Sequence, residues 1–91
     1  MIVQRAIFNV KKDCMQEFLE LHKKRGYNYR LYQSRLGTFD QISFEWEWEN
    51  MAAYEKTWAD WFALPETPAF LEKVNALIAP GGTNEIWNLI E

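Results

Sequence analysis

The sequence predicts an α+β domain, an antiparallel four-stranded sheet with helices on one face. Two observations carry that prediction. The stretch "ISFEWEWEN" (residues 42–50) alternates apolar and polar side chains with the period of a β-strand. Patterns of strand and helix type also succeed one another in the order strand, helix, strand, strand, broken helix, strand across the 91 residues.

The first strand is read over residues 2–10, "IVQRAIFNV". Its even positions Ile2, Ala6, Phe8 and Val10 are apolar, with Gln4 the exception. Its odd positions mix Val3 and Ile7 with Arg5 and Asn9, as in a strand buried on one face and partly covered on the other. "KKDCMQEFLELHKKRG" follows. Asp13 and Gln16 resemble a capping box, and Met15, Phe18, Leu19 and His22 share one helical face. The cations of "KKR" (23–25) fall in the last turn, where they complement the helix dipole, and Gly26 is placed to end the helix. "YNYRLYQSRL" (27–36) reads as the second strand, and "GTFD" as the hairpin turn into the third.

Asn50 is a suitable N-cap for a helix "MAAYEKTWADWF" with an apolar stripe of Met51, Tyr54, Trp58, Trp61 and Phe62. "LPETP" breaks that helix. Thr67 is read as the cap, and Pro68 as a first-turn residue, of a third helix "AFLEKVNALIA" that buries Phe70 or Leu71, Val74, Leu77 and Ile78. "PGG" (80–82) is read as the loop that ends it, and "TNEIWNLIE" as the fourth strand.

This order is the split βαβ arrangement of ferredoxin-like folds, with the first and third strands central. The more apolar sheet face must meet the helices, so Phe8, Val10, Phe44, Trp46 and Trp48 are expected beneath them. The opposite face then carries Arg5, Asn9, Ser43, Glu45 and Glu47, with Val3 and Ile7 between them. A sheet covered on one side leaves its other face bare, and pairing two such sheets covers both. A homodimer is therefore expected, with Arg5, Asn9, Glu45 and Glu47 as candidate interface residues.

Composition narrows the classes. A length of 91 residues suggests one domain spanning residues 1–91. Hydrophobic residues make up 48% and aromatics 16%, which excludes a disordered chain. The net charge of −3 gives no support for a nucleic-acid binder. The single cysteine, Cys14, cannot build a disulfide framework, so a reducing, cytoplasmic setting is expected. No apolar run approaches the roughly 18–20 residues of a membrane span, and the N-terminus lacks the basic region of a signal peptide. The expectation is a soluble protein without a membrane partner.

The strand "QISFEWEWEN" runs straight into "MAAYEKTWADWFALPETPAFLEKVNALI", and the N-terminal "AIFNVKKD" precedes the helix "CMQEFLELH". Together these stretches resemble the dimeric α/β barrel superfamily, and most of all NIPSNAP-type domains. Members show a Lys-rich turn after the first strand and an aromatic-x-aromatic end to the third. A polar cap, a helix and a "DPxWxxFL"-like stretch follow, for which "LPETPAFLEKV" stands here. The resemblance implies a dimer whose sheets close into a barrel, and a pocket in each subunit between sheet and helices. It also brings in cofactor-free quinone-forming monooxygenases and haem-degrading monooxygenases, in which a Trp near the end of the third strand lines the pocket. Trp48 matches that position. The haem-degrading members also use an Asn on the first strand, which corresponds to Ala6, and a His on the second helical segment, which has no counterpart. No cofactor is expected.

The candidate ligand pocket comprises His22, Trp46, Trp48, Phe18, Trp58 and Phe62. Trp46 and Trp48 can wall an aromatic site or simply pack against Trp58, Trp61 and Phe62. His22 can serve as a general base facing the pocket, but a helix-end histidine bound to backbone fits its position better. No second His or Cys stands at metal-ligand spacing, so no metal site is expected. Glu45, Glu47 and Glu49 suit a salt-bridged face with Arg5, Arg30 or Arg35 better than acid–base chemistry. Tyr27, Tyr29 and Tyr32 bring hydroxyls whose orientation the register leaves open. Cys14 is read as structural, and "PGG" lacks the Lys of a phosphate loop. The expected function is binding of a small apolar or aromatic molecule between sheet and helices. The alternatives are a monooxygenase-like enzyme acting on an aromatic or polyketide-like substrate, and a non-catalytic dimeric interaction domain.

Overall fold

A computed structural model describes residues 1–23 and 29–90. The elements are β1 (Ile2–Val10), α1 (Met15–Lys23), β2 (Arg30–Gln33), β3 (Gln41–Trp48), α2 (Met51–Phe62), α3 (Thr67–Leu77) and β4 (Ile78–Asn88). They form one antiparallel sheet in the order β2-β3-β1-β4, so β1 and β3 are central, as the pattern predicts. Among the described residues no helix is long and apolar enough to cross a membrane.

Register divides the sheet cleanly. Ile2, Gln4, Ala6 and Phe8 stand opposite Trp48, Trp46, Phe44 and Ile42 on the helix-facing side. Val3, Arg5, Ile7 and Asn9 stand opposite Glu47, Glu45, Ser43 and Gln41 on the open side. Side chains of a strand alternate between faces, so the tryptophans and the glutamates of β3 are separated by the backbone itself.

The core occupies one half of the helix-facing side. Ala6, Val10, Ile42 and Phe44 from the sheet pack with Phe18 of α1 and with Val74 and Leu77 of α3. Phe18 and Ile42 are wholly screened from solvent. Under α2 the arrangement differs, because none of that helix's residues is buried.

Several local expectations need correction. Asp13 does not cap α1: the helix starts at Met15, and Asp13 adopts φ +67°, a left-handed conformation that Asp tolerates better than most residues. The second strand is only Arg30–Gln33, and Leu36 and Phe39 after it are almost fully exposed. Tyr27, Lys24, Arg25 and Gly26 lie outside the described residues. Thr67 is the first residue of α3 and not its cap. Its hydroxyl donates to the Trp61 carbonyl at 2.6 Å, tying the end of α2 to the start of α3.

"PGG" is not a loop. Leu77 ends α3 and the chain enters β4 at Ile78 directly. Ile7 pairs with Thr83 and Asn9 with Ala79, so Phe8 alone faces Pro80, Gly81 and Gly82 in a bulge. Two features demand glycine there. Gly81 has φ +103°, and a Cβ on Gly82 would lie 2.7 Å from the Ile7 carbonyl oxygen. Asn9 Nδ2 donates to the Pro80 carbonyl at 3.1 Å and ties the bulge to β1. Proline is tolerated because β4 is an edge strand.

Candidate functional site: an aromatic cleft between sheet and helices

Between the helix-facing side of the sheet and the helices lies a cavity of about 1110 Å³. The sheet contributes Trp46 and Trp48 from β3, and α2 contributes Trp58, Trp61 and Phe62. Asn50 positions α2 by capping it. Its extended backbone (φ −161°) breaks from the strand, and its Oδ1 accepts the Ala53 amide at 2.9 Å. The i, i+3, i+4 spacing of Trp58, Trp61 and Phe62 then turns all three rings toward one side of the helix.

The walls form a closed circuit of rings. His22 lies 4.9 Å from Phe44, Phe44 5.5 Å from Trp46 and Trp46 5.2 Å from Trp58, between ring centroids. From Trp58 the next centroid is Trp61 at 5.5 Å, then Phe70 at 6.1 Å, and Phe70 returns to His22 at 5.5 Å. Most of these contacts are edge-to-face, the arrangement that the ring quadrupoles favour. Such rings hold one another in place, so the walls are preorganised before anything binds.

Gln4 is the polar centre beneath the tryptophans. Its side-chain oxygen accepts the Trp48 indole N–H at 3.1 Å and the Trp58 indole N–H at 2.9 Å. Its Nε2 donates to Asn84 Oδ1 of β4 at 3.0 Å. Sequence reasoning noticed Gln4 only as an irregularity among apolar positions. The signal was available, because a buried amide needs partners and indole N–H groups are donors that seek an acceptor.

The expected pocket residues His22, Trp46, Trp48, Trp58 and Phe62 all line the cavity, and Phe18 does not. Phe18 sits deeper, in the core, 4.3 Å from the His22 ring. His22 is buried, and its Nδ1 lies 2.8 Å from the Phe18 carbonyl. A carbonyl oxygen only accepts, so that nitrogen carries a proton and donates it. Tyr29 also lines the cavity, and its hydroxyl donates to the His22 carbonyl at 3.0 Å. Tyr32 faces the other way, opposite Ser43 on the open side.

That open side holds Arg5, Asn9, Glu45 and Glu47. Glu45 accepts from Arg5 at 2.9 Å and lies 3.8 Å from Arg30. Asn9 accepts from Gln41 Nε2 at 3.0 Å. Glu47 is exposed, and its position on β3 also borders the cleft. Val3 and Ile7 lie half-buried among them, and Trp87 of β4 stands beside Val3 with 54% of its surface exposed. Away from both faces, Asp60 bonds Lys56 at 2.7 Å on the outer side of α2. The hydrogen bond and the charge of Asp60 raise the lysine pKa above its ordinary value. Cys14 is half-buried against the core. Among the described residues no cluster of three or more His, Cys, Asp or Glu is placed to hold a metal ion.

Solved structures share this architecture. An uncharacterized NIPSNAP domain protein from Burkholderia xenovorans superposes with a TM-score of 0.85 at 16% identity, over 99% of this chain and 95% of that one. A NIPSNAP family protein from Agrobacterium tumefaciens gives 0.89 at 19% identity, over 99% and 93%. The chain has the NIPSNAP fold. A structure described as an antibiotic biosynthesis monooxygenase follows with a TM-score of 0.73 at 19% identity, over the whole of both chains. Identities this low establish the NIPSNAP fold and nothing finer. No family model matches the sequence, and no curated protein does.

Proposed function

We propose that this protein binds a small, flat, largely apolar molecule in the aromatic cleft and works as a homodimer. One observation carries the binding reading. A cavity of about 1110 Å³ stands where a purely structural domain would have closed its core, and pockets for drug-sized ligands measure about 300–1,000 Å³. The rings present carbon surface on several sides, which suits an aromatic guest. For the dimer, the support is the open sheet face, where Val3, Ile7, Tyr32 and Trp87 lie around the Arg5–Glu45–Arg30 cluster. A second copy of the same face would cover the apolar groups. The one thiol suits a reducing compartment such as the cytoplasm.

The test is a titration with 1-aminoanthracene, an uncharged flat fluorophore. Saturable binding of one molecule per chain, with quenching of tryptophan emission, is the expected result. Absence of saturable binding up to the solubility limit of the probe refutes the reading.

A further inference from the structure

Gln4 is 4% exposed, on a strand face otherwise given to apolar side chains. Its carbonyl oxygen has two lone pairs, and each meets an indole from a different element, Trp48 of β3 and Trp58 of α2. The amide nitrogen is held in turn by Asn84 of β4. Three elements thus converge on one side chain. We infer that Gln4 is the positioning residue of the cleft: through Trp58 it sets how far α2 stands from the sheet, and so how thick a ligand the aromatic walls admit.

The inference rests on the binding reading above and deepens it. Helix α2 has no fully buried residue, and its ring contacts with the sheet, Trp58 on Trp46 and Trp48 at centroid distances of 5.2 and 6.2 Å, set its height only loosely. A directional bond 2.9 Å long sets it more tightly, because it weakens steeply when stretched or tilted. The same bonds shape the ligand chemistry. Both indole N–H groups are spent on Gln4, so Trp48 and Trp58 meet a guest with ring carbon and not with donors. The ligand class that follows is an apolar ring system, with no acceptor required at the Trp48–Trp58 end.

The test uses the full chain with Gln4→Leu, Gln4→Glu and Trp58→Phe. Leucine keeps the bulk but offers no acceptor. Glutamate keeps an oxygen for both indoles, and phenylalanine removes the same bond from the helix side. Two readouts are taken, the affinity for 1-aminoanthracene and the hydrogen exchange of the α2 amides relative to those of α3.

Gln4→Leu and Trp58→Phe should each bind the probe about fivefold to tenfold more weakly, the scale of one lost net hydrogen bond. The double variant should lose no more than Gln4→Leu alone, since the leucine already removes the bond to Trp58. Exchange should quicken in α2 and stay unchanged in α3, and Gln4→Glu should restore both readouts toward wild type.

Wild-type affinity in Gln4→Leu, or exchange that quickens equally throughout the chain, overturns the inference. If Gln4→Leu does not fold, Trp58→Phe decides by the same two readouts. If the wild type does not bind the probe, the binding reading falls. Exchange then judges Gln4 alone: quickening confined to α2 supports the positioning role, and unchanged exchange refutes it.

Discussion

Replacing Phe18 with alanine removes a ring that is wholly screened from solvent and packed against Phe8, His22 and Phe44 at centroid distances of 6.3, 4.3 and 6.1 Å. Lost transfer energy and the void left behind together cost about 3–5 kcal/mol for such a change. Phe62 supplies the comparison. It keeps 59% of its surface exposed, so the buried part, about two-fifths of the 1.5–3 kcal/mol for full burial, is worth about 0.6–1.2 kcal/mol. A chain of 91 residues has a total stability of about 5–14 kcal/mol, so Phe18→Ala should consume a large share of it. At about 4–8 °C per kcal/mol, its melting temperature should fall by about 12–40 °C, and that of Phe62→Ala by about 10 °C or less. Urea denaturation at one fixed protein concentration gives the comparison, because dimer formation would make stability depend on concentration. Equal losses at the two positions would refute the division of this sheet face into a closed core and an open cleft.

Asn50→Ala should cost about 1 kcal/mol by freeing the Ala53 amide, read as a fall in melting temperature. Gly82→Ala forces a Cβ against the Ile7 carbonyl oxygen, a backbone atom 2.7 Å away; it should destabilise by about 1–3 kcal/mol on urea denaturation. Glu45→Arg places a third cation beside Arg5 and Arg30, so if the open faces pair as proposed, sedimentation velocity should show a shift from dimer to monomer with the helical circular-dichroism signal intact. Lys56 has its pKa raised by Asp60, so its contribution to stability is complete below the ordinary value of 10.5 and is lost as the pH climbs through the folded value. Denaturation curves of wild type and Lys56→Met should therefore differ equally at about pH 6 and about pH 9.

What could be read directly was periodic or local. Eight consecutive residues of β3 alternate without error, which placed both its faces, and Asn50 before an apolar helical stripe marked the start of α2. The pairing of β1 with β3 followed from the order of elements, and four expected cleft residues, Trp46, Trp48, Trp58 and Phe62, followed from the two patterns together. The misread positions depend on contacts distant in sequence. Pro80, Gly81 and Gly82 are turn formers in isolation, yet here they meet Phe8 across a bulge some seventy residues away in the chain. Thr67 looks like a cap until the Trp61 carbonyl competes for its hydroxyl. Phe18 shares a helical stripe with His22, and only the depth of packing separates a core residue from a cleft residue. Gln4 showed in the sequence only as a polar break among apolar positions, and its three partners, from β3, α2 and β4, cannot be read locally.

Chain geometry holds the cleft open between its largest side chains. Helix α2 is pinned at its start by the Asn50 cap immediately after β3, and at its end by the Thr67 hydroxyl on the Trp61 carbonyl. Between those pins the facing surfaces already carry Trp46, Trp48, Trp58 and Trp61, the largest side chain available. With the largest rings already on these facing surfaces, closing the space between them requires α2 itself to move toward the sheet. That movement would have to break or bend the Trp58–Gln4 bond and disturb the edge-to-face contacts of Trp46 with Trp58 and of Trp58 with Trp61. The hydrophobic gain from collapse is therefore opposed by a buried hydrogen bond and by ring geometry at once. A planar guest of the kind proposed would resolve the conflict, because it would cover the apolar walls while leaving every one of those contacts in place.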